Sequence, residues 1–350
     1  MSPFRRRLLP AIFLLSLALA SCLYSQGTTL RSAFLKELGT DLILPAYQEL
    51  DTRSEALAGA LATLEASPSR ATLTEAQSAW RTVRFPWGFL EALHLGPSEE
   101  LHTGAAMNQV PGTTDIDTLL AGNAPLDETS VAQLGANLKG MLTIEYVLFD
   151  AEAGNEAVLS RLTTGDAGAR RRAYLKALGA VLHADARAVR AAWEPEQGNY
   201  LAQLSNAGSE GSRYATQQEA LDEVVHRLIS SVEEAELKLS PELEATRHGD
   251  NSLEDLESTL RGMEYVWHGL NGDGGLSSLV SATNKSLDKT VREELALVRL
   301  ALVSIPPPLR TALRNNPASV EKTRAAFSNL RATLATKVVA NLEVTPPAAP

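Results

Sequence analysis

Apolar residues along this chain fall three and four positions apart in segment after segment, and runs that alternate apolar with polar, as a half-buried strand does, are missing. The first stripe is Leu30, Phe34, Leu35, Leu38, Leu42, Ile43 and Tyr47. It resumes through Leu57, Leu61 and Leu64, so Pro45 bends this helix rather than ending it. A second helix is expected over 72–93, entered through Pro68 and closed by Gly96-Pro97. The stretch 98–127 carries Gly104, Pro111-Gly112, Gly122 and Pro125 and reads as loop. Helical spacing returns over 130–149, 155–162, 168–193, 214–239, 252–270, 285–303 and 318–342.

An all-α fold of two packed helical bundles follows, each helix hiding one apolar stripe. The boundary is expected at the small polar stretch Asn206-Ala207-Gly208-Ser209-Glu210-Gly211-Ser212, which divides a bundle at 29–205 from one at 206–343. A disordered Pro/Ala-rich tail is expected over 344–350. Leu138-Lys139-Gly140-Met141 recurs as Leu260-Arg261-Gly262-Met263, which is either a trace of duplication or a coincidence in an Ala/Leu-rich chain.

The first 21 residues have the form of an export signal: Arg5-Arg6-Arg7, then a short apolar run from Leu8 to Leu19. That run falls short of the about 20 apolar residues that span a bilayer. Leu19-Ala20-Ser21-Cys22 resembles a bacterial lipobox, with cleavage before Cys22 and lipid on its thiol, and 22–28 as tether; an ordinary signal with an incidental cysteine is the other reading. Leu23 after the cysteine resembles an outer-membrane sorting signal, so the expected place is the cell envelope, at the outer membrane facing the periplasm. Cys22 is the one cysteine of the chain, so no internal disulfide or thiolate metal site exists. Loss of Arg5, Arg6 and Arg7 with no acid takes the formal charge from -10 to -13, a balance that does not suit nucleic acid as a partner. The expected partner is the membrane, through the anchor on Cys22.

Several segments in order resemble the imelysin-like family, described first as insulin-cleaving membrane proteases and associated with bacterial iron uptake. They are Leu42-Ile43-Leu44-Pro45-Ala46-Tyr47, Ala79-Trp80-Arg81-Thr82-Val83-Arg84 with Glu91 and Leu95-Gly96-Pro97, and Gly140 through Phe149. Arg172-Ala173-Tyr174-Leu175 with Trp193, and Leu260-Arg261-Gly262 with Gly269 and Gly275-Leu276, extend the likeness into the second half. The resemblance implies a two-bundle helical fold, envelope iron-uptake proteins as partners, and a motif Gly-x-His-x-x-Glu. Here Gly140 and Glu145 match that motif but Leu142 stands in the histidine position. Residues three apart share a helix face, and an imidazole beside a carboxylate is half of a divalent-metal site; leucine cannot bind metal.

Glu145 sits in an apolar run and, once buried, needs a partner. Arg84, in the family's arginine position, is the expected one, because its planar fork holds a carboxylate through two hydrogen bonds. The pair, with Trp80 and Gly140, serves either as a polar knot between helices or as a ligand site. Glu91-x-x-His94 and Glu223-x-x-His226 have the spacing of bundle carboxylate sites, and Glu264 lies one turn before His268. Glu91 and His94 with Glu145 are therefore the candidate ligands for a divalent metal or iron, against the plainer reading of helix-face pairs worth about 0.2–0.5 kcal/mol each. Trp80, Trp87, Trp193 and Trp267 either line a pocket or, as is commoner for such residues, anchor the core. No zinc His-Glu-x-x-His, nucleophile elbow or phosphate-binding glycine loop occurs. A non-catalytic binding lipoprotein is the leading expectation; the alternatives are a metal-dependent peptidase and a structural or docking lipoprotein.

Overall fold

The apolar stripes fold as helices, and the computed structural model describes residues 28–272 and 274–346. Helix α1 (28–37) passes through a π-helical turn, Leu38–Ile43, into α2 (Leu44–Ala66). Pro45 lies in the first turn of α2 and has no N–H to return to the preceding turn. The widened π turn absorbs the missing bond, which is why the helix bends and continues. Helix α3 (Arg70–Leu90) opens at a capping box in which the Ser69 hydroxyl accepts from the Thr72 N–H and the Thr72 hydroxyl accepts from the Ser69 N–H.

Two expectations for the middle of the chain are corrected. The segment read as loop carries α4 (Pro97–Glu100), α5 (Thr103–Asn108) and α6 (Thr113–Ala121); Pro111-Gly112 and Gly122 bound α6 rather than abolish it. The single helix expected over 130–149 is instead α7 (Glu128–Ala132), a 3-10 turn (Ala136–Leu138) and α8 (Met141–Leu148). Gly140 makes the break: its φ is +90°, and a Cβ there would overlap the Ala106 carbonyl oxygen and stand 2.9 Å from that of Met107. Only glycine lets the end of α5 lie across the start of α8.

The rest comprises α9 (Gly154–Thr163), α10 (Gly165–Trp193), α11 (Tyr200–Ser205), α12 (Gln217–Lys238), α13 (Pro241–Glu244) and α14 (Ser252–His268). Beyond them come α15 (Gly275–Thr283), α16 (Lys285–Val303), α17 (Leu309–Asn315) and α18 (Pro317–Thr333), which runs through a second π turn (Leu334–Val338) into α19 (Val339–Asn341). Helices α11, α13, α15 and α17 were not expected; at four to nine residues they are too short to repeat an apolar period.

Helix α2 packs against both α10 and α3, while α12, α14, α16 and α18 pack on one another; α3 against α14 joins the two groups. The fold is thus all-α, two packed bundles, with no strand among the described residues. Trp80, Trp87, Trp193 and Trp267 are all buried in the core. The ordered body runs past residue 343: Val344 is buried and the Thr345 N–H donates to Asp222. The expected signal 1–21, Cys22, and 347–350 lie outside the described residues. Among the described residues no helix is long and apolar enough to cross a membrane. The tetrapeptide echo has no structural counterpart, since Gly140 precedes a helix and Gly262 lies inside one.

Candidate functional site

Helices α3 and α14 meet through small residues. A Cβ on Gly88 would stand 3.0 Å from the Ser258 Cβ and 3.1 Å from the Asp255 carbonyl oxygen, and one on Gly262 would overlap the Phe89 carbonyl oxygen. The Ser258 hydroxyl donates to the Phe85 carbonyl at 2.6 Å. This close approach sets Arg84, one turn before Gly88, against Asp255, one turn before Ser258. The Arg84 Nη2 donates to Asp255 Oδ2 at 2.6 Å, and Nε lies 3.1 and 3.2 Å from the two carboxylate oxygens. Both side chains are out of solvent, at 1% and 4% exposure.

Arg84 therefore pairs with Asp255 and not with Glu145, a correction with a plain cause. Glu145 projects from α8 toward the turn leading into α14, where its Oε1 accepts the His248 and Gly249 backbone N–H groups, both at 2.8 Å. Its Oε2 faces Arg247 Nε at 3.4 Å, close enough for an ion pair but not aligned as a hydrogen bond. Arg247 also donates through Nη2 to Asp255 Oδ2 at 2.6 Å. A chain of charge thus runs Glu145, Arg247, Asp255, Arg84, and the two expected partners are its ends. Burial works to raise the Asp255 carboxyl, but the Arg84 and Arg247 guanidinium groups outweigh it and hold it down at about 2. Trp80 braces the assembly: its indole N–H donates to the Met141 carbonyl at 2.8 Å, and the Arg84 guanidinium lies 5.8 Å from its ring centre.

The chain continues through Asn108, whose side-chain oxygen accepts from Arg84 Nη1 at 2.7 Å and whose amide nitrogen reaches Glu91 Oε1 at 3.4 Å. Glu91 is buried just past the end of α3. Its Oε2 accepts from the Thr259 hydroxyl at 2.6 Å and from Lys238 Nζ. Burial pushes the Glu91 carboxyl up, yet Lys238 and the Thr259 hydroxyl outweigh that and hold it below its ordinary value. Beside it, the His94 ring packs on Trp87 at 4.5 Å between centres, and neither His94 Nε2 nor Trp87 Nε1, both buried, has a hydrogen-bond partner among the described residues. Burial, helped by the Arg227 charge, pushes His94 down to about 3, so its imidazole is neutral at physiological pH. These residues face a cavity of about 350 Å³ shared with Asn108, Arg227 and Glu234.

The expected metal ligands are not brought together as a set: among the described residues no three His, Cys, Asp or Glu side chains are placed to hold an ion. The donor chemistry agrees. Leu142 is buried at the motif's histidine position, Glu145 is committed to two backbone amides and Arg247, and Glu91 is neutralised by Lys238. Of these three, among the described residues, His94 keeps an unpartnered Nε2, and Glu145 Oε2, without an aligned hydrogen bond, is held by the Arg247 charge, which a cation would have to displace. The residues present do not fit a resident divalent metal. The other pairs are likewise occupied: Glu223 accepts from the Tyr214 hydroxyl at 2.7 Å and the Gly96 N–H at 3.2 Å, and Glu264 pairs with Arg299.

Asp255, Arg247, Lys238, Thr259 and Asn108 were missed in the sequence. For two of them a signal was there: Asp255 and Thr259 interrupt the apolar stripe Leu256, Leu260, Met263, Val266 and Trp267 on α14 and are buried with it. The remaining three stand in short or partly exposed segments that carry no such mark.

The imelysin (peptidase M75) family model matches residues 43–337, well over half of the chain. Iron-regulated protein A of Synechococcus elongatus is 29% identical over 287 residues, covering 78% of this chain and 75% of that protein. Among solved structures, a Parabacteroides distasonis chain described as an iron-regulated protein A precursor superposes with a TM-score of 0.74 at 18% identity. An imelysin-like protein from Psychrobacter arcticum superposes with 0.73 at 17%. Each alignment covers 91% of this chain and 96% of the other, and shares the fold. With a charged seam built on the motif glutamate and a family match running almost end to end, this chain belongs to the imelysin family.

Proposed function

We propose that this imelysin-family chain is a non-catalytic binding protein of the cell envelope, tethered by lipid on Cys22 and working in iron acquisition. The observation that carries the reading is the fate of Glu145. An acid that is to activate water or hold a metal needs a free oxygen lone pair and a partner ligand. Here Oε1 takes two backbone N–H groups, Oε2 faces Arg247, and the residue one turn before it is Leu142. The acid serves to join the bundles. The iron connection is supported by the likeness to iron-regulated protein A, and the tether by the Leu19-Ala20-Ser21-Cys22 signal.

The test has two arms. Incubated with an unfolded protein substrate, with and without chelator, the purified chain is expected to leave it intact; chelator-sensitive cleavage would restore the peptidase reading. In the producing organism, the chain is expected to rise in abundance on iron limitation, and its deletion to slow growth only then. Equal growth of mutant and parent without iron removes the acquisition role. A Cys22→Ser variant is expected to leave the membrane fraction.

A further inference from the structure

At the far end of the seam from His94, a second cavity of about 440 Å³ opens where α6, α8, α9, α10, α17 and the turn before α14 converge. Its lining is dominated by side chains of both charges: Arg161, Arg171, Arg247 and Arg310 on one side of the ledger, Asp117, Asp150 and Glu152 on the other. A bare anion of that size would meet three carboxylates, and a bare cation four guanidinium groups. A molecule carrying both charges meets neither penalty.

Within the cavity, Arg171 and Glu152 are the least engaged charges of their sign. Arg161 spends one N–H on Asp150 at 2.9 Å, Arg310 is paired with Asp250 and the Arg247 carbonyl, and Arg247 belongs to the seam. Among the described residues Arg171 makes only a 3.5 Å ion pair with Asp117, and that acid already accepts the Tyr146 hydroxyl at 2.8 Å. A guanidinium has five N–H groups in a fork that fits a carboxylate, so Arg171 keeps donors to spare. Glu152 has no ion pair among those of the described residues, although it borders the same cavity. Tyr146 and His248, packed edge to face at 5.1 Å between centres, give the cavity a ring-lined wall. We infer that this cavity binds a zwitterionic amino-carboxylate, a free amino acid or the ends of a short peptide, with Arg171 taking the carboxylate and Glu152 the ammonium group.

The inference rests on the binding-protein reading but not on its iron role. It is tested by calorimetric titration of the purified chain with the amino acids singly and with alanyl-alanine, N-acetyl-alanyl-alanine and alanyl-alaninamide. Saturable binding of a free zwitterion is expected, at least about tenfold tighter than either capped form, since each cap removes one charge-assisted contact. Strong binding of free amino acids identifies them as the occupant, and preference for the dipeptide identifies a peptide. Arg171→Gln is expected to weaken the uncapped ligand about tenfold and the amide hardly at all; Glu152→Gln does the same for the uncapped and N-acetyl forms. The Arg171 side chain is partly buried and Glu152 is exposed, and unchanged melting curves establish that the variants fold. Arg53→Gln on α2, which removes the same charge from an exposed pair, leaves affinity unchanged. No saturable binding of any ligand, or equal losses for capped and uncapped ligands, overturns the assignment and leaves the iron test standing. A bound dipeptide recovered cleaved overturns the non-catalytic reading and leaves the cavity assigned.

Discussion

His94 shows what a single buried residue does to this protein. Its ordinary value is 6.5 and the fold pushes it to about 3, by burial first and by the Arg227 charge second. The unfolded chain therefore binds a proton through the whole interval between these values while the folded chain does not. Stability from this residue is complete above pH 6.5 and falls as the pH drops toward 3, with a slope of up to about 1.4 kcal/mol per pH unit. His248 and His268 are depressed in the same direction, also by burial first, and add to the slope. His94→Phe keeps a ring against Trp87 and removes the titration. Urea unfolding at pH 7.5 and pH 5 should show the variant losing clearly less stability than the parent over that step. Equal losses would mean that His94 is not held neutral by the fold.

Between helices, glycine decides how near two backbones come. Gly262 on α14 and Gly59 on α2 are both helix-interior glycines, and replacing either by alanine gains up to about 1 kcal/mol of helix propensity. At Gly59 a Cβ meets nothing within 4 Å, so Gly59→Ala is expected to raise stability by that amount. At Gly262 the Cβ would overlap the Phe89 carbonyl, a backbone atom that cannot swing aside, so overpacking of about 1–3 kcal/mol outweighs the gain. Opposite signs in thermal melts of the two variants are the expected result, and a stabilised Gly262→Ala would remove the close crossing. The sequence shows elements in the same uneven way. Long helices with several turns of apolar period were legible, down to the continuation of the first one past Pro45. Gly140 was legible as a motif residue but not as a break, because its role depends on Ala106 and Met107, more than thirty positions away. The same holds for the seam. Glu145 was correctly read as a buried acid in need of a base, but its base, Arg247, lies in a turn without periodicity, and Arg84 had only its place in the family's arginine position to recommend it.

Taken whole, the molecule is two helix groups fastened by charges that each cross the same boundary: Arg84, Glu91 and Glu145 come from the first group, and Lys238, Arg247 and Asp255 from the second, with the Thr259 hydroxyl beside them. Removing one partner of a buried pair leaves the other charge uncompensated, at a cost of about 3–5 kcal/mol. Asp255 is the member with most to lose, since Arg84, Arg247 and Asn251 all donate to it. The loss in Asp255→Asn falls on the seam rather than on either core, so the two groups should come apart before they unfold. The parent is expected to melt in one calorimetric transition at neutral pH, and the variant in two, or in one whose calorimetric enthalpy exceeds its van't Hoff enthalpy. Acid acts by the same route. Asp255 is depressed from 3.8 to about 2 and Glu91 lies below 4.5, so their stabilisation is complete above those ordinary values and is lost as the pH falls through the depressed ones. Below about pH 4 the parent should begin to resemble the variant, while the variant, with Asp255 already neutral, should change less over the same interval. A parent that keeps one sharp transition down to pH 2, together with a variant that does likewise at pH 7, would show that apolar contact between α3 and α14 holds the bundles together without help from the charges.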